Sequence, residues 1–290
     1  MIYFRKRFGF WGVNMKRSQR LVLMTNHFLE HPREHTQLPH FTKSLQASKS
    51  SISEDLDIIH EMFQEAGIGF LERVAGAAGG VKYIPDYSAR HSESIIQTLC
   101  QELEDPKRIL PGGYLYMSDI LGDPKMVRDI GRVFASIFST LDIDVVMTVA
   151  TKGIPLAYAV AEFLDVPVVI VRRDPKVTEG SSVSINYVSG ASRKIQTMVL
   201  PKRSLQEGAN VCIVDDFMKA GGTITGMISL LEEFNANVRA IGVLAEADDE
   251  EDERVIDEYT SLVKITNVDL QKKQIEVHPG HFNLDKSYHN

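Results

Sequence analysis

Cysteine is nearly absent from this 290-residue chain. Its two, Cys100 and Cys212, fall in separate predicted elements without metal-ligand spacing. A disulfide framework or a cysteine-rich zinc module is thereby excluded, and a reducing cytoplasm is the expected location. No apolar run approaches the roughly 20 residues needed to span a bilayer. Residues 1–14 lack acids, and they also lack the apolar core and small-residue cleavage site of a secretory signal. Being aromatic and basic, they read as an extension upstream of Met15. An excess of basic charge is missing too: the formal net charge is -7, so bulk charge does not suggest nucleic acid. The nine histidines form no ligand-spaced pair with a cysteine, and no Gly-x-Ser-x-Gly occurs, so metal and serine-nucleophile schemes of those kinds find no support. What remains is an ordinary globular composition, 43% hydrophobic and 24% charged, long enough for two domains.

The first candidate domain runs from residue 15 to 87. Leu21, Val22, Met24, Phe28 and Leu29 form a helical stripe that ends before Pro32, and a second short helix over residues 38–47 is entered through Pro39. Ser51-Ile52-Ser53-Glu54 reads as a capping box opening a third helix, with Ile52, Leu56, Ile59 and Phe63 on its apolar face. Two strands, at residues 70–74 and 81–84, then flank a Gly-rich tip. Three helices and a hairpin are the pattern of a winged helix, a helix-turn-helix variant, although small helical caps with a hairpin also serve as dimerisation modules. In the winged-helix reading the third helix enters the major groove by its N-terminal end, carrying Lys49, Ser50, Ser51 and Ser53. Arg17 and Arg20 on the first helix and Lys82 on the wing hold the phosphate backbone. Acids and bases are about balanced over this segment, so any basic surface must be local and partly made by dimerisation.

From residue 88 the pattern changes to helices alternating with apolar strands. A helix over residues 88–104 and a breaker-rich connection at 106–113 lead to a helix capped by Asp123-Pro124. Strands follow at 145–149, 168–171, 211–214 and 238–244, with an antiparallel excursion near 182–200. Such alternation predicts an α/β fold with a doubly wound parallel sheet. The acidic stretch 247–258 reads as a solvated helix face.

The run from Val211 to Gly226 is the most informative segment. Four apolar residues form a buried strand; Asp215 and Asp216 stand where it ends; a Gly-rich turn and a helix follow. In open α/β sheets ligands bind at that corner. Turn amides and a helix N-terminus favour an anion, whereas the carboxylates repel one and suit hydroxyls or a metal. Anion donors beside hydroxyl acceptors describe a sugar phosphate. A second strand end, Thr151-Lys152-Gly153, offers another anion site of lower specificity by itself. Residues 172–180 form a charged loop after a further strand, and Tyr114, Tyr116 and Phe217 are aromatics able to stack on a base or to pack in the core.

The strand, Asp215-Asp216 and a short loop ending Gly221-Gly222-Thr223 resemble the phosphoribosyl pyrophosphate (PRPP) motif of type I phosphoribosyltransferases. The resemblance assigns Asp215 and Asp216 to the ribose hydroxyls. It assigns the loop after them, Lys219, Ala220, Gly221, Gly222 and Thr223, to the 5-phosphate, with Phe217 and Met218 leading into it. Thr151, Lys152 and Gly153 match the pyrophosphate loop, where a strained peptide bond often turns amides to the ligand, and residues 172–180 match the mobile lid. Lys219 and Ala220 depart from the family's usual small residue followed by Thr or Ser. A cation there tightens ground-state binding rather than rate, which suits a sensor. A winged helix ahead of such a domain is similar to the winged-helix family of bacterial purine operon repressors, on residues 48–55, 76–82, Leu110 to Tyr114 and 150–155. The family resemblance implies a homodimer that binds double-stranded operator DNA and is released by PRPP, with no transferase activity; Mg2+ is admitted beside PRPP but not required by this reading. Purine nucleotides such as guanosine tetraphosphate are then expected to compete for the pocket. A working transferase with an attached regulatory domain is the alternative reading.

Overall fold

A computed structural model describes residues 15–74, 79–111, 114–174, 180–188, 195–247 and 255–284. The N-terminal extension, the wing tip and most of the expected lid and acidic stretch lie outside the described residues. The chain divides into two units, Met1–Ser88 and Ala89–Asn290.

The first unit holds α1 (Arg17–Glu30), β1 (Thr36–Gln37), α2 (Leu38–Ser44), α3 (Lys49–Glu65), β2 (Gly69–Val74) and β3 (Gly80–Pro85). The buried stripe of α1 is Met24, His27 and Phe28, while Val22 and Leu29 face solvent. Met24 and Phe28 pack with Phe41, Ile52, Leu56, Ile59, Phe63, Leu71 and Tyr83 into one core. The expected capping box is corrected. Ser48, in extended backbone, accepts from the Ser51 amide at 3.1 Å and starts α3 a turn earlier. Glu54 instead faces Arg17 at 3.5 Å. Strand β1, not legible in the sequence, pairs antiparallel with β3 and makes the wing a three-stranded sheet in the order β1-β3-β2.

The second unit contains α4 (Ala89–Leu103), α5 (Ser118–Gly122), α6 (Pro124–Ile137), β4 (Val145–Val149), α7 (Gly153–Leu164), β5 (Val168–Val171), β6 (Ser182–Val188), β7 (Ile195–Pro201), β8 (Asn210–Met218), α8 (Gly222–Glu232), β9 (Asn237–Ala247), β10 (Thr260–Asp269) and β11 (Gln274–Pro279). The main sheet runs β11-β10-β9-β8-β4-β5. Five strands are parallel and β11 adds an antiparallel edge, so the sheet is mixed. The central strands β4 and β8 are buried along nearly their whole length, which is why they read as apolar runs. The residues described at 255–258 are irregular rather than helical, correcting that part of the acidic-helix expectation. Gly131 lets α6 approach α7 closely: a Cβ there would lie 2.5 Å from that of Ala159.

Candidate functional site

The strand ends of β4 and β8 lie side by side, because the two strands are parallel neighbours. The acid pair belongs to β8 itself, which continues through Met218 rather than stopping before the carboxylates. Asp215 is buried, and its Oδ1 accepts from the Asp216 amide at 2.9 Å. Burial, and then the neighbouring Asp216 charge, push the Asp215 carboxyl well above the usual carboxylate range. Burial raises Asp216 as well, against its hydrogen bond with Asp215 and the nearby Lys152. A carboxylate in that condition gains from ligand hydroxyls that donate to it.

Beyond the acids the chain turns through Lys219 and Ala220 into Gly221, whose φ of +89° suits glycine and which serves as the N-cap of α8. The first turn of α8 therefore begins at the loop, with its amides unshared inside the helix and aimed at any bound anion. On β4 the chain leaves through a cis Ala150–Thr151 bond, and α7 begins at Gly153 after Lys152.

Two cavities meet around Asp216. One, of about 430 Å³, is lined by Tyr114, Phe217, Met218 and the loop from Lys219 to Thr223. The other, of about 520 Å³, is lined by Thr151, Lys152, Arg172, Arg173, Asp174 and Asp215. Both share Lys152, Asp216, Phe217 and Thr223. The structure thus brings together every residue expected at the sugar-phosphate corner. Gly153 sits just beneath it, where a Cβ would lie 3.1 Å from Asp215 Oδ1. Tyr114 and Phe217 are both exposed.

Two contributors were missed by the sequence. The far wall of the first cavity includes Ala247, at the end of β9, and residues 265–268 on β10, a strand with no clear pattern in the sequence. Behind the loop, the Val255 amide donates to the Ala220 carbonyl at 3.2 Å, and Ile256 packs where a Gly221 side chain would be. Neither carries a motif. Among the described residues no group of three His, Cys, Asp or Glu is placed to hold a metal ion, and no helix is long and apolar enough to cross a membrane.

In the first unit the expected contact residues fare unequally. Lys49 is exposed as the first residue of α3 and, with Arg73, lines a cavity of about 470 Å³ beside α2 and the wing. Ser50 and Ser51 each share a 2.9 Å hydrogen bond with Ser48 at the same helix start. Ser53 accepts from Arg73 at 3.3 Å, and Arg73 also pairs with Asp57, tying the wing to α3. Lys82 pairs with Glu72 across the wing strands at 2.6 Å. Arg20 changes role. Its Nε donates to the fully buried Asp55 at 2.8 Å, and its side chain is only 13% exposed. Arg17 holds the other Asp55 oxygen at 3.0 Å but stays half exposed. A buried carboxylate needs such partners, so Arg20 acts inside the domain and not as the surface clamp its position on the first helix suggests.

A family profile described as "Bacterial purine repressor, N-terminal" matches residues 16–85, and one described as "Phosphoribosyl transferase domain" matches residues 117–278. The purine biosynthesis transcriptional repressor of Bacillus subtilis is 58% identical over 270 residues, spanning 93% of this chain and 94% of that protein. The purine biosynthesis transcriptional activator of Lactococcus lactis subsp. lactis is 47% identical over 272 residues, spanning 94% and 100%. A crystal structure of adenine phosphoribosyltransferase from Thermoanaerobacter pseudethanolicus matches 58% of this chain and 98% of its own with a TM-score of 0.50. At 22% identity that likeness establishes the fold alone. With both profiles in chain order and such identity along nearly its full length, the chain belongs to the bacterial purine repressor family, in which a DNA-binding-type N-terminal domain precedes a phosphoribosyltransferase-fold domain.

Proposed function

We propose that this protein is a homodimeric transcriptional repressor of purine biosynthesis genes whose operator affinity is lowered by PRPP. The observation that carries the reading is the acid pair beside an anion-binding loop. Asp215 and Asp216 stand at a strand's carboxyl end, with a helix N-terminus opening beyond Gly221 and a second loop at Lys152. That set is complementary to a ligand with vicinal hydroxyls, a 5-phosphate and a diphosphate. Thr151, Lys152, Arg172 and Arg173 line the side suited to the diphosphate and any Mg2+ it carries. Tyr114 and Phe217 flank the other side, where a purine nucleotide such as guanosine tetraphosphate would compete. Lys49, Ser50, Ser51, Ser53, Arg17 and Lys82 remain the DNA-facing candidates of the first unit, each dimer supplying two sets to a two-fold operator.

Repression rather than activation follows the Bacillus subtilis relative, which is the more similar of the two named. Relief by PRPP makes chemical sense as a sign of unmet demand for purine nucleotides. The test is a titration of the protein–operator complex with PRPP, with AMP, GMP and inorganic pyrophosphate as controls. PRPP should release DNA, and Asp215→Ala should bind DNA while ignoring PRPP. Indifference of the native complex to PRPP would overturn the reading.

The completeness of the acid pair and loop favours a second reading, a working transferase. Lys219 at the phosphate loop argues against it, since a ground-state contact does not raise a rate. Turnover of labelled PRPP with each purine and pyrimidine base decides between them, and nucleotide formation at ordinary enzyme concentrations would establish the transferase.

A further inference from the structure

Thr148 lies on β4, fully buried, and its Oγ1 has no hydrogen-bond partner among the described residues. A valine would fill the same volume without leaving a hydroxyl unsatisfied, so a hydroxyl retained there calls for a partner that arrives later. Asp215 lies on the other side of Gly153. A Cβ on Gly153 would lie 2.2 Å from Thr148 Oγ1 and 3.1 Å from Asp215 Oδ1. Gly153, the first residue of α7, therefore leaves the space beside Thr148 Oγ1 and Asp215 Oδ1 free of a side chain.

We propose that Thr148 is a positioning residue for the effector: its hydroxyl donates a hydrogen bond to Asp215, across the gap kept by Gly153, when ligand hydroxyls engage that carboxylate from the outer side. The inference rests on the reading that this corner takes the ribose of PRPP. Its physical basis is that Asp215 must bear a charge in a buried place beside a second acid. The groups facing it are Asp216 on its own strand, Arg173 after β5, and Lys152, which acts on Asp216. Two cations close to the carboxylates also serve the ligand's phosphates, so they cannot be devoted to Asp215. A neutral donor on the inner side stabilises the anion without competing for the phosphates. It also orients Asp215 so that its remaining lone pairs face the cavity.

The experiment is PRPP titration by calorimetry on the full chain between pH 6 and 9, comparing the native protein with Thr148→Val, Thr148→Ser and Asp215→Asn. Thr148→Val should weaken PRPP binding about tenfold, as loss of a hydrogen bond to a charged group does. Its affinity should also rise with pH over a range displaced upward, because the Asp215 anion has lost a stabilising partner. Thr148→Ser should restore both affinity and pH profile, and thermal unfolding of apo Thr148→Val should be no lower than native. Thr148→Val with native affinity and pH profile would overturn the inference, and so would a Thr148→Ser variant as weak as Thr148→Val. Asp215→Asn separates the two layers of the argument. If it binds PRPP normally, the assignment of the corner itself fails. If it does not bind while Thr148→Val is unaffected, only the role of Thr148 falls.

Discussion

Arg20 and Asp55 illustrate how one side chain's partner decides its role. Asp55 is fully buried between α1 and α3, and two arginines satisfy it, one nearly buried and one half exposed. Removing one partner of a buried pair leaves an uncompensated charge, a loss of about 3–5 kcal/mol. Arg20→Ala should therefore lower the stability of the N-terminal unit by about 3 kcal/mol. Arg17→Ala, whose partner keeps Arg20, should lose no more than about 1 kcal/mol. Thermal unfolding followed by circular dichroism distinguishes them, and a native-like melt of Arg20→Ala would contradict the structural role. The acid pair at residues 215 and 216 shows the converse case: burial outweighs the nearby Arg173 and Lys152 and raises both carboxyls above their ordinary range.

Between elements, the seam of α1 with β1 holds a stack of imidazoles. His27 is buried, its Nε2 lies 2.9 Å from Thr36 Oγ1, and its ring stacks on His31 at 4.8 Å and on His40 at 5.2 Å. Burial, then the neighbouring His31 and His40, lower its pKa to about 4, with Glu30 opposing. The unfolded chain takes up a proton near pH 6.5 that the folded unit resists until about 4. Stability must then fall as pH drops through that window, by on the order of 2 kcal/mol at pH 5. Because Thr36 belongs to the third strand of the wing, the loosening should reach that three-stranded sheet. His27→Gln should flatten the pH dependence of unfolding between pH 6.5 and 5, and an unchanged slope would show that other groups set it. In the second unit a comparable seam joins the β6–β7 hairpin to α8, where a Cβ on Gly226 would lie 2.8 Å from the Tyr187 ring. The helix that opens on the candidate site is thereby packed against a hairpin about 40 residues away in the chain.

At the scale of the molecule the proposed switch is a linkage, and linkage is reciprocal. If PRPP weakens operator binding by some factor, operator DNA must weaken PRPP binding by the same factor. Calorimetric PRPP affinities with and without operator should match the shift in operator affinity at the same salt, and unequal factors would require a third bound state. Which parts of this were open to reading follows from where the information lies. Buried parallel strands, helix stripes and the acid pair with its Gly-rich turn are local patterns, so the two-unit order, the α/β class and the corner at Asp215 were legible from residues alone. The strands at 260–269 and 274–279 were not, because a mixed edge alternates weakly; with them went the wall at residues 265–268. Ser48 displaced Ser51 as the cap because a hydroxyl one turn earlier met the free amides first. The sequence by itself determined the chemistry available: two carboxylates, a Gly-rich turn ahead of a helix and a hydroxyl-rich helix start. Only the tertiary structure decided which charges line the cavities and which are consumed inside, since burial of Asp55 and of Asp215 arises from elements distant in the chain. For the same reason only the fold could place Thr148 and Gly153 under the acid pair.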